Sequence, residues 1–444
     1  MSLTAALLPK TAGVGDNGLH IGGCDLTELV REFGTPLEVY DEDHLRSRCR
    51  EAMSAFPDGV SYASKAFLCA AIARLVHEEG LHLDVASGGE LEVALAAGIP
   101  AAALVMHGNN KSADELSLAI AQNVGRIVID SEDEIHRIQQ IVGLKQAPPA
   151  RALVRINPSV HSATHDSVST GHPESKFGFR VDTGHAGRIL DQLANDPRFE
   201  LVGVHVHVGS QLLDLTSIGQ GVARAAALAI AAGLDELSVG GGLGVAHTAV
   251  ETAPTFRDWS DVVHRAARTA GFAGRVLAEP GRSLVATAGV TLYRVGTIKT
   301  VGSDRTYLSV DGGLSDNPRP ALYGSAYEAF LPRLPYPVVG ASRREVTVVG
   351  KNCESGDTLV HGARLPADVA VGDVLCLPVT GAYVHAMSSN YNKLPRPAVV
   401  FVSNGRTRLV IRRETVADMT RTDRLLDVAG SSAGGRAQPG PIRP

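Results

Sequence analysis

Between residues 60 and 282 the sequence repeats one two-part unit eight times. Each unit opens with a short run of β-branched and aliphatic residues that ends in a polar or glycine-containing cluster, and stretches with helical periodicity separate these runs. The strand-like runs cover 60–65, 81–87, 103–108, 126–131, 151–158, 201–210, 236–242 and 275–282. Eight alternating strands and helices over about 250 residues predict an α/β fold, a (β/α)8 TIM-like barrel, with a doubly wound open sheet as the alternative.

Polar residues stand at the carboxyl end of nearly every strand-like run. They are Lys65, Ser87, His107, Asp130, Asn157, His207 with Ser210, Gly240 to Gly242, and Glu279 with Arg282. In a barrel these ends meet on one rim, where active sites are built. The pattern therefore favours the barrel and places the site at that rim. One intervening stretch, 131–142, opens with Ser131 and Glu134, which are spaced as a helix capping box.

After about residue 290 the helical rhythm stops. The segments 290–301, 305–313, 344–351, 373–383 and 396–414 have the composition of strands, which predicts a second, C-terminal β domain, a sandwich or barrel. We expect the segment 36–41 to join it. The predicted organisation is an N-terminal segment 1–40 associated with the β domain, a cofactor-binding barrel 41–290, the β domain 291–428 and a disordered tail 429–444.

Composition excludes several classes of partner. The net charge is −5 over 444 residues without a basic block, so no nucleic-acid partner is expected. Five scattered cysteines without a CxxC pair predict no disulfide framework and fit a cytoplasmic protein. No apolar run is long enough for a membrane span, and the N-terminus lacks a signal-peptide pattern. His205 and His207 alternate as two zinc ligands would, but no third ligand is evident, so no metal is predicted.

Lys65, in "SYASKA", is the first candidate catalytic residue. Lysines are scarce, because only eight of the 42 basic residues are lysines. A lysine at an apolar strand end either extends its amine toward solvent or, when desolvated, has a depressed pKa and acts as a Schiff-base nucleophile. Lys111 and Lys176, in loops after later strands, are the competing candidates.

Three segments on neighbouring strands offer groups that bind phosphate. The glycines of 240–244 supply backbone N–H groups, 207–210 supplies a hydroxyl, and 279–282 supplies a glycine turn and a guanidinium. Glu279 would repel a phosphate unless the ligand also carries a cationic nitrogen at its far end. A phosphate, a lysine-reactive aldehyde and a protonatable ring nitrogen together describe pyridoxal 5′-phosphate (PLP).

Ten motifs then match one family in register. They are "YASKA", "DVASGGELEVALAAGI", "HGNNKS", "STGHPESKFG", "HVHVGSQL", "GGGLG", "EPGRSLVATAG", "RPALYG", "CESGD" and "GAYVHAMSSNYN". They resemble the barrel-type PLP-dependent decarboxylases of basic amino acids, which include the ornithine and arginine decarboxylases, and most closely the diaminopimelate decarboxylases. The similarity runs from about residue 35 to 425. It implies decarboxylation of meso-2,6-diaminopimelate to L-lysine and CO2, a step of lysine biosynthesis.

The resemblance also implies a role for each matched residue. Those expected to bind the cofactor are Lys65 (covalently), Asp84, His207 (on the ring face), Ser210, Gly241, Gly242, Glu279 (at the ring nitrogen), Gly281, Arg282 and Tyr383. Those expected to bind substrate are Arg282, Arg319, Tyr323, Glu354 and Tyr383. Cys353 is expected to be a catalytic proton donor that reaches the neighbouring subunit's site. A shared site of this kind implies at least a homodimer.

The sequence departs from the family pattern at a few positions, and alternatives stay open. Ser64 and Phe67 replace the Val and Asn that usually flank the lysine, and Ala246–His247 stands where an aromatic residue commonly follows the glycine loop. The substrate could be another diamino or carrier-bound amino acid, although Glu354 argues against ornithine. An alanine-racemase-like enzyme would lack the "CESGD" loop. A non-catalytic homologue would not need both Lys65 and Cys353.

Overall fold

A computed structural model describes residues 6–15, 18–160, 171–172, 174–302, 305–333 and 342–424. The predicted tail 429–444 and part of the "STGHPESKFG" motif lie outside these residues. The described residues form two compact units. The barrel unit contains those of 1–12, 40–290 and 378–386, and the β unit contains those of 13–39, 291–377 and 387–444. The domain boundaries drawn from the sequence stay predictions.

The strands are β1 (Gly13–Val14), β2 (Leu19–Ile21), β3 (Cys24–Asp25), β4 (Leu37–Asp41), β5 (Ser61–Ala63), β6 (His82–Val85), β7 (Leu104–Met106), β8 (Arg126–Ile129), β9 (Ala150–Asn157), β10 (Phe179–Arg180), β11 (Phe199–Val206), β12 (Glu236–Ser238), β13 (Arg275–Leu277), β14 (Gly289–Val301), β15 (Arg305–Val310), β16 (Arg343–Val349), β17 (Thr358–Pro366), β18 (Val374–Pro378), β19 (Ala398–Ser403) and β20 (Arg406–Ile411). The α-helices are α1 (Leu26–Phe33), α2 (Glu42–Ala55), α3 (Ala70–Glu78), α4 (Gly88–Ala96), α5 (Ala113–Ala121), α6 (Glu132–Lys145), α7 (His185–Ala194), α8 (Thr216–Ala231), α9 (Phe256–Thr269), α10 (Arg282–Val285), α11 (Arg319–Tyr323) and α12 (Val416–Thr420).

The barrel unit is built on eight parallel strands in chain order. They run β5-β6-β7-β8-β9-β11-β12-β13, and the short strand β10, which the sequence did not predict, pairs with β9. A parallel bridge between Val60 and Ala278 joins the two ends of the sheet, and Ser61 N–H donates to the carbonyl of Ala278 at 2.8 Å. A doubly wound open sheet reverses its strand order and leaves two edges. The predicted (β/α)8 barrel is therefore confirmed.

Several polar residues at the strand ends cap the next helix. The Ser87 side chain accepts from Glu90 N–H at the start of α4, and Ser112 and Glu115 form a full capping box at the start of α5. The capping box predicted at Ser131 and Glu134 is only half present. Ser131 Oγ accepts from Glu134 N–H at 3.3 Å, but the Glu134 carboxylate accepts from Asp130 N–H at 3.0 Å. It turns away because it also forms a buried ion pair with Lys111 at 2.6 Å.

The β unit contains one large sheet in the order β17-β16-β15-β14-β4-β19-β20, with β18 paired to β14. Strand β4, from the N-terminal segment, lies between β14 and β19, as the sequence predicts. The sequence missed β17. The register of β16 and β17 shifts between Val346 and Val348, and Gly362 there adopts a φ of 64°, which is a left-handed conformation suited to glycine. This bulge interrupts the alternation by which a strand is recognised.

No helix among the described residues is long and apolar enough to cross a lipid bilayer.

Candidate active site

The barrel rim brings together the cofactor-binding residues predicted from the sequence. Lys65 follows β5, Asp84 lies in β6, and the remaining residues follow β11, β12 and β13, except Tyr383, which comes from the segment 378–386 of the same unit. The strands that carry them are largely buried in the barrel. Strand β6, for example, is buried from Leu83 to Val85. Burial fixes the strand ends, and so it fixes the polar side chains that follow them.

Lys65 lies in a 3₁₀ turn, Ser64–Ala66, directly after β5. Its Nζ donates to Oδ2 of the buried Asp84 at 3.3 Å, and its side chain is 49% exposed. Burial among the surrounding groups lowers the pKa of Lys65, but the charges of Asp84, Tyr383 and Glu279 outweigh it, and the pKa is raised overall. The depressed pKa expected from the sequence is therefore wrong. The strand end is apolar in sequence, but the folded rim is rich in carboxylates.

The two competing lysines do not fit the role of nucleophile. Lys111 is fully buried, and its Nζ donates to the carbonyls of Gly108 and Val128, both at 2.7 Å, and pairs with Glu134. An ammonium has three N–H donors, and these contacts occupy them. Lys176 is exposed, with its Nζ 5.1 Å from the centroid of the Phe177 ring.

Glu279 is a buried carboxylate surrounded by donors. Ser238 Oγ donates to its Oε1 at 2.8 Å, and His205 Nε2 donates to its Oε2 at 3.0 Å. His107 Nε2 lies 3.3 Å from the same Oε2. Burial alone would raise the pKa of Glu279, but His107 and His205 lower it well below its usual range. Glu279 is thus held ionised.

His207 is neutral. Gly241 N–H donates to its Nδ1 at 3.2 Å, so the ring hydrogen sits on Nε2. Burial, with the charges of Arg155 and Lys65, lowers the pKa of His207 well below 6.5. A Cβ on Gly240, which has a φ of 63°, would lie 2.8 Å from this Nδ1. The glycine loop therefore orients the histidine as well as offering N–H groups to a ligand.

Ser210, Arg282 and Tyr383 form a polar corner beside that loop. Arg282 Nη2 donates to Ser210 Oγ at 3.3 Å, and its guanidinium carbon lies 4.7 Å from the centroid of the Tyr383 ring. Tyr383 N–H donates to the carbonyl of Ala66 at 2.8 Å, which ties it to the turn that carries Lys65. Gly242 packs so closely here that a Cβ would lie 2.2 Å from the carbonyl oxygen of Gly209. Ser210, Arg282 and Tyr383 thus form a compact group with a fixed cation.

Gly241 and Gly281 also stand where backbones approach closely. A Cβ on Gly241 would lie 2.3 Å from the carbonyl oxygen of Glu279, and one on Gly281 would lie 3.0 Å from the Cβ of Ala63. These two glycines bring the ends of β5, β12 and β13 together. A side chain at either position would push apart the strand ends that carry Lys65 and Glu279.

Three departures from the family pattern have structural partners in the barrel unit. Ser64 Oγ donates to Glu90 Oε2 at 3.1 Å. Phe67 stacks on Tyr40 with ring centroids 4.7 Å apart. Buried His247 has its Nδ1 3.3 Å from Gln211 Nε2, and Gln211 in turn donates to the carbonyl of Val245 at 2.6 Å. These residues brace the rim.

The other predicted site residues lie in the β unit. Arg319 is buried at the start of α11 and donates to Tyr327 Oη at 2.6 Å and to Ser325 Oγ at 3.2 Å. Tyr323, at the end of the same helix, is half-buried. Cys353 and Glu354 are exposed on the loop between β16 and β17, and Cys353 N–H donates to Asn392 Oδ1 at 2.7 Å.

Asp357 braces the loop that carries Cys353. Its Oδ1 accepts from Leu314 N–H at 2.7 Å, and its Oδ2 accepts from Asn352 N–H at 2.8 Å. A Cβ on Gly350 would lie 2.2 Å from Asp357 Oδ2. Cys353 is therefore an exposed thiol on a braced loop, whereas Cys376 of the same unit is buried.

Asp316, in the segment before α11, is buried and accepts from Tyr293 Oη at 2.6 Å and from Gly313 N–H at 2.9 Å. Burial raises its pKa to about 7 in spite of these hydrogen bonds, and Glu38 and Asp357 act in the same direction. The folded pKa thus lies above that of an unfolded aspartate, about 4. The folded protein binds the Asp316 proton more tightly than the unfolded chain does. The contribution of Asp316 to the free energy of unfolding is therefore lost as pH rises from about 4 to about 7.

We therefore expect Asp316→Asn, which stays neutral, to gain stability relative to wild type across that pH window, by on the order of 4 kcal/mol at pH 8. Denaturant unfolding at pH 5, 6, 7 and 8 measures the difference. Asp368→Asn, at an exposed carboxylate of the same unit, is the control and should show a flat difference. A flat difference for Asp316→Asn would show that Asp316 ionises normally.

Comparison with known proteins assigns the chain to a family. The family described as "Pyridoxal-dependent decarboxylase, pyridoxal binding domain" matches residues 42–286. The diaminopimelate decarboxylase of Corynebacterium efficiens is 42% identical over 436 residues, which cover 94% of both proteins. That of Bacillus subtilis is 41% identical and covers 91% of this chain and 95% of its own length. The chain belongs to the diaminopimelate decarboxylase family.

A solved structure of this family has the same fold. Diaminopimelate decarboxylase from M. jannaschii in complex with L-lysine matches with a TM-score of 0.87 and 32% identity, over 94% of this chain and 98% of that one. The predicted family and the predicted fold class, a barrel with a separate C-terminal sheet, are confirmed. The family is pyridoxal-dependent, so PLP is the cofactor, as the sequence predicted.

The residues at the barrel rim fit PLP. The cofactor has a phosphate, an aldehyde and a ring nitrogen. The polar corner of Ser210 and Arg282 offers a hydroxyl and a guanidinium of the kind that binds phosphate. Lys65 offers an amine held by one carboxylate, and Glu279 offers a buried anion suited to a protonated ring nitrogen. The roles of individual residues stay predictions.

Sequence reasoning missed the histidines around Glu279. The sequence places His107 at a strand end without indicating a role for it, and it presents His205 only as one of two alternating histidines with the spacing of zinc ligands. In the structure the ligand atoms of His107, His205 and Glu279 all lie within 4.8 Å of one another, a group that could hold a metal ion. His207 is not part of it. The alternation of side chains along β11 could have indicated this role, because it places His205 on the inner face of the barrel.

Proposed function

We propose that this chain removes the α-carboxylate of meso-2,6-diaminopimelate, with PLP, to give L-lysine and CO2. The observation that carries the proposal is at the rim of the barrel. There the carboxylate of Glu279 is held ionised, and its charge is one of those that raise the pKa of Lys65. Similarity over nearly the whole chain to enzymes named diaminopimelate decarboxylase supports the substrate. The scattered cysteines support a cytoplasmic location.

Bound PLP supplies the electron sink that lets the bond between the α carbon and the carboxylate break. The chain's own residues bind and tune that group. Lys65 would hold it covalently, and Asp84, 3.3 Å from Nζ, would orient the amine. Glu279 stays ionised and so holds a proton on the ring nitrogen. Ser210 and Arg282 bind the phosphate through a hydroxyl and a guanidinium.

The remaining rim residues position these groups. Neutral His207, oriented by Gly241 N–H, supplies a flat uncharged ring for the face of the cofactor. Gly242 and Gly281 allow the backbone to approach the phosphate without a side chain in the way. Tyr383 holds the Arg282 guanidinium against its ring. Cys353 would supply the proton that replaces the lost carboxylate.

Substrate choice rests on the distal end of diaminopimelate. That end carries an ammonium and a carboxylate, so its recognition needs an anion and a cation. Exposed Glu354 can accept the ammonium, and the planar fork of Arg319 can donate two hydrogen bonds to the carboxylate. Ornithine and lysine lack the distal carboxylate and would not form these two hydrogen bonds. Tyr323, about one helical turn after Arg319 on α11, completes the group expected to bind substrate.

The direct test of the function is incubation of the purified enzyme with a panel of amino acids. Diaminopimelate, ornithine, arginine, lysine and alanine are each supplied with PLP, and mass spectrometry follows loss of CO2. We expect diaminopimelate to be decarboxylated with the highest kcat/KM. A preference for ornithine or arginine would overturn the substrate but not the reaction, and racemisation of alanine without CO2 loss would overturn the reaction.

Arg319→Lys keeps the charge but loses the planar fork. We expect KM for diaminopimelate to rise roughly tenfold or more with a smaller change in kcat, because a hydrogen bond to a charged group contributes about 1.5–3 kcal/mol. Steady-state kinetics measures both constants. Arg406→Lys, an exposed arginine of β20, is the matched control and should behave as wild type. An unchanged KM in Arg319→Lys would restrict Arg319 to its bonds with Tyr327 and Ser325.

We also propose a homodimer whose sites are shared, with Cys353 acting in the partner's site. Mixing Lys65→Ala with Cys353→Ala subunits should then restore up to about a quarter of wild-type activity, because half of the dimers are hybrids and each hybrid has one complete site. Each variant alone should be nearly inactive. Mixing Lys65→Ala with Glu279→Gln is the control, since both residues belong to the barrel unit and no hybrid site is complete. Recovery in the control, or none in the test pair after proven subunit exchange, would contradict sharing.

A further inference from the structure

A line of polar contacts crosses the barrel rim from Lys65 to His205. Lys65 Nζ lies 3.3 Å from Asp84 Oδ2, and Asp84 Oδ1 lies 3.8 Å from His107 Nε2. The same His107 Nε2 lies 3.3 Å from Glu279 Oε2, which accepts from His205 Nε2 at 3.0 Å. Four of the five residues, all but Lys65, are buried. His107 thus faces both the carboxylate beside the lysine and the carboxylate assigned to the ring nitrogen.

The geometry fixes where the histidine hydrogens lie. His107 Nε2 lies near carboxylate oxygens of Asp84 and Glu279 without an aligned hydrogen bond to either, and these contacts favour a hydrogen on it, because two lone pairs would repel. His205 Nε2 carries one for the same reason, and its buried Nδ1 has no hydrogen-bond partner among the described residues. The two rings stand edge to face, with centroids 4.9 Å apart and planes at 70°.

Both oxygens of Glu279 are therefore directed at hydrogen donors. Oε1 accepts from Ser238 Oγ, and Oε2 faces His205 and His107. A proton placed on Oε2 would point at the N–H of His205, and a proton placed on Oε1 would require the Ser238 hydroxyl to turn and accept it. The charged and titratable groups that face this site come from six strands or strand ends. They are Lys65, Asp84, His107, Arg155, His205 and Glu279.

We propose that His107 and His205 are positioning residues that hold Glu279 as a carboxylate in one orientation, and that the proton on the ring nitrogen of the cofactor depends on them. This rests on the proposed PLP-dependent function. His205 acts through an aligned hydrogen bond. His107 acts through its place between two carboxylates, by which it links Glu279 to the partner of Lys65. Neither histidine touches the substrate.

The consequence of removing them follows from the burial of Glu279. Without the two imidazoles, burial raises the proton affinity of the carboxylate, and the proton shared with the ring nitrogen moves onto Glu279. The ring then loses its positive charge. His107→Leu and His205→Leu should show this loss, whereas His107→Gln and His205→Gln should recover much of it, because the Gln amide can again donate N–H.

The test uses the holoenzyme reconstituted with PLP labelled with ¹⁵N in the ring. The ¹⁵N chemical shift reports ring protonation directly, and kcat against pH is measured in parallel. We expect wild type to be protonated from pH 6 to 9, both Leu variants to be largely unprotonated with kcat reduced at least tenfold, and both Gln variants to lie between. His185→Leu is the matched control, because His185 pairs with Glu132 at 2.7 Å on an exposed face.

Each outcome decides a different point. Leu variants that bind PLP and keep the wild-type ¹⁵N shift would overturn the proposal. A wild-type ring that is itself unprotonated would instead overturn the role of Glu279 within the proposed function. The Gln variants guard against misfolding, since they keep a polar side chain of similar reach. One equivalent of zinc in the purified holoenzyme, lost in both Leu variants, would overturn the proposal in favour of a metal at His107, His205 and Glu279.

Discussion

Lys65→Ala should lower kcat by roughly 10³-fold or more and abolish covalent attachment of the cofactor. Borohydride reduction of the wild-type holoenzyme, followed by peptide mapping, should place the label on the peptide that contains Lys65. The physical reason is that Lys65 Nζ is exposed and held by one carboxylate, whereas Lys111 Nζ is buried and its donors are occupied.

The control for this prediction is Lys176→Ala. Lys176 is an exposed lysine of the same unit, and its loss should leave the label and the turnover in place. A label on the peptide of Lys111 or Lys176 would contradict the assignment of Lys65. So would a Lys65→Ala enzyme with near-normal kcat.

Glu279→Gln should retain PLP but lower kcat by about 10²–10³-fold, which corresponds to about 2.7–4 kcal/mol of transition-state stabilisation. A glutamine has almost the same shape, so the site keeps its packing, but it carries no charge to hold a proton on the ring nitrogen. The amide would also turn one N–H toward Ser238 or the histidines, which are donors themselves. Steady-state kinetics and PLP absorbance measure the two effects separately.

Glu200→Gln makes the same chemical change at an exposed position near the start of β11 and should leave kcat unchanged. If Glu279→Gln instead loses PLP altogether, Glu279 serves cofactor binding more than catalysis. Near-normal turnover with bound PLP would contradict its electrostatic role.

The barrel could be predicted from the sequence because its information is local. Each strand is a short apolar run followed by polar residues, and strand order follows chain order, so counting the runs sufficed. Strand β17 escaped because Gly362 forms a bulge that breaks the alternation. The capping box predicted at Ser131 is incomplete because the Glu134 carboxylate pairs instead with the buried Lys111. Lys111 lies in the segment after β7, outside the local sequence around Ser131.

The electrostatics of the site could not be predicted in the same way. Lys65 and Asp84 are 19 residues apart, and the contact of His205 with Glu279 spans 74. These contacts exist because the barrel closes, and no local pattern in the sequence encodes them. The raised pKa of Lys65 and the lowered pKa of Glu279 are both products of such contacts. The sequence motifs identify the residues, but they do not predict the protonation state of each one.

The raised pKa of Lys65 has a consequence for how the holoenzyme is assembled. A newly folded chain presents this residue as an ammonium ion, because the carboxylates around it favour the proton. An ammonium cannot attack an aldehyde, so if Lys65 binds the cofactor, the rate of loading should follow the small fraction of free amine, which rises about tenfold with each unit of pH as long as the pH stays below the pKa. We therefore expect reconstitution of the protein with PLP to be faster in alkaline buffer. Acidification would slow the binding of PLP to newly folded chains. Protein molecules that already hold PLP would not depend on this step.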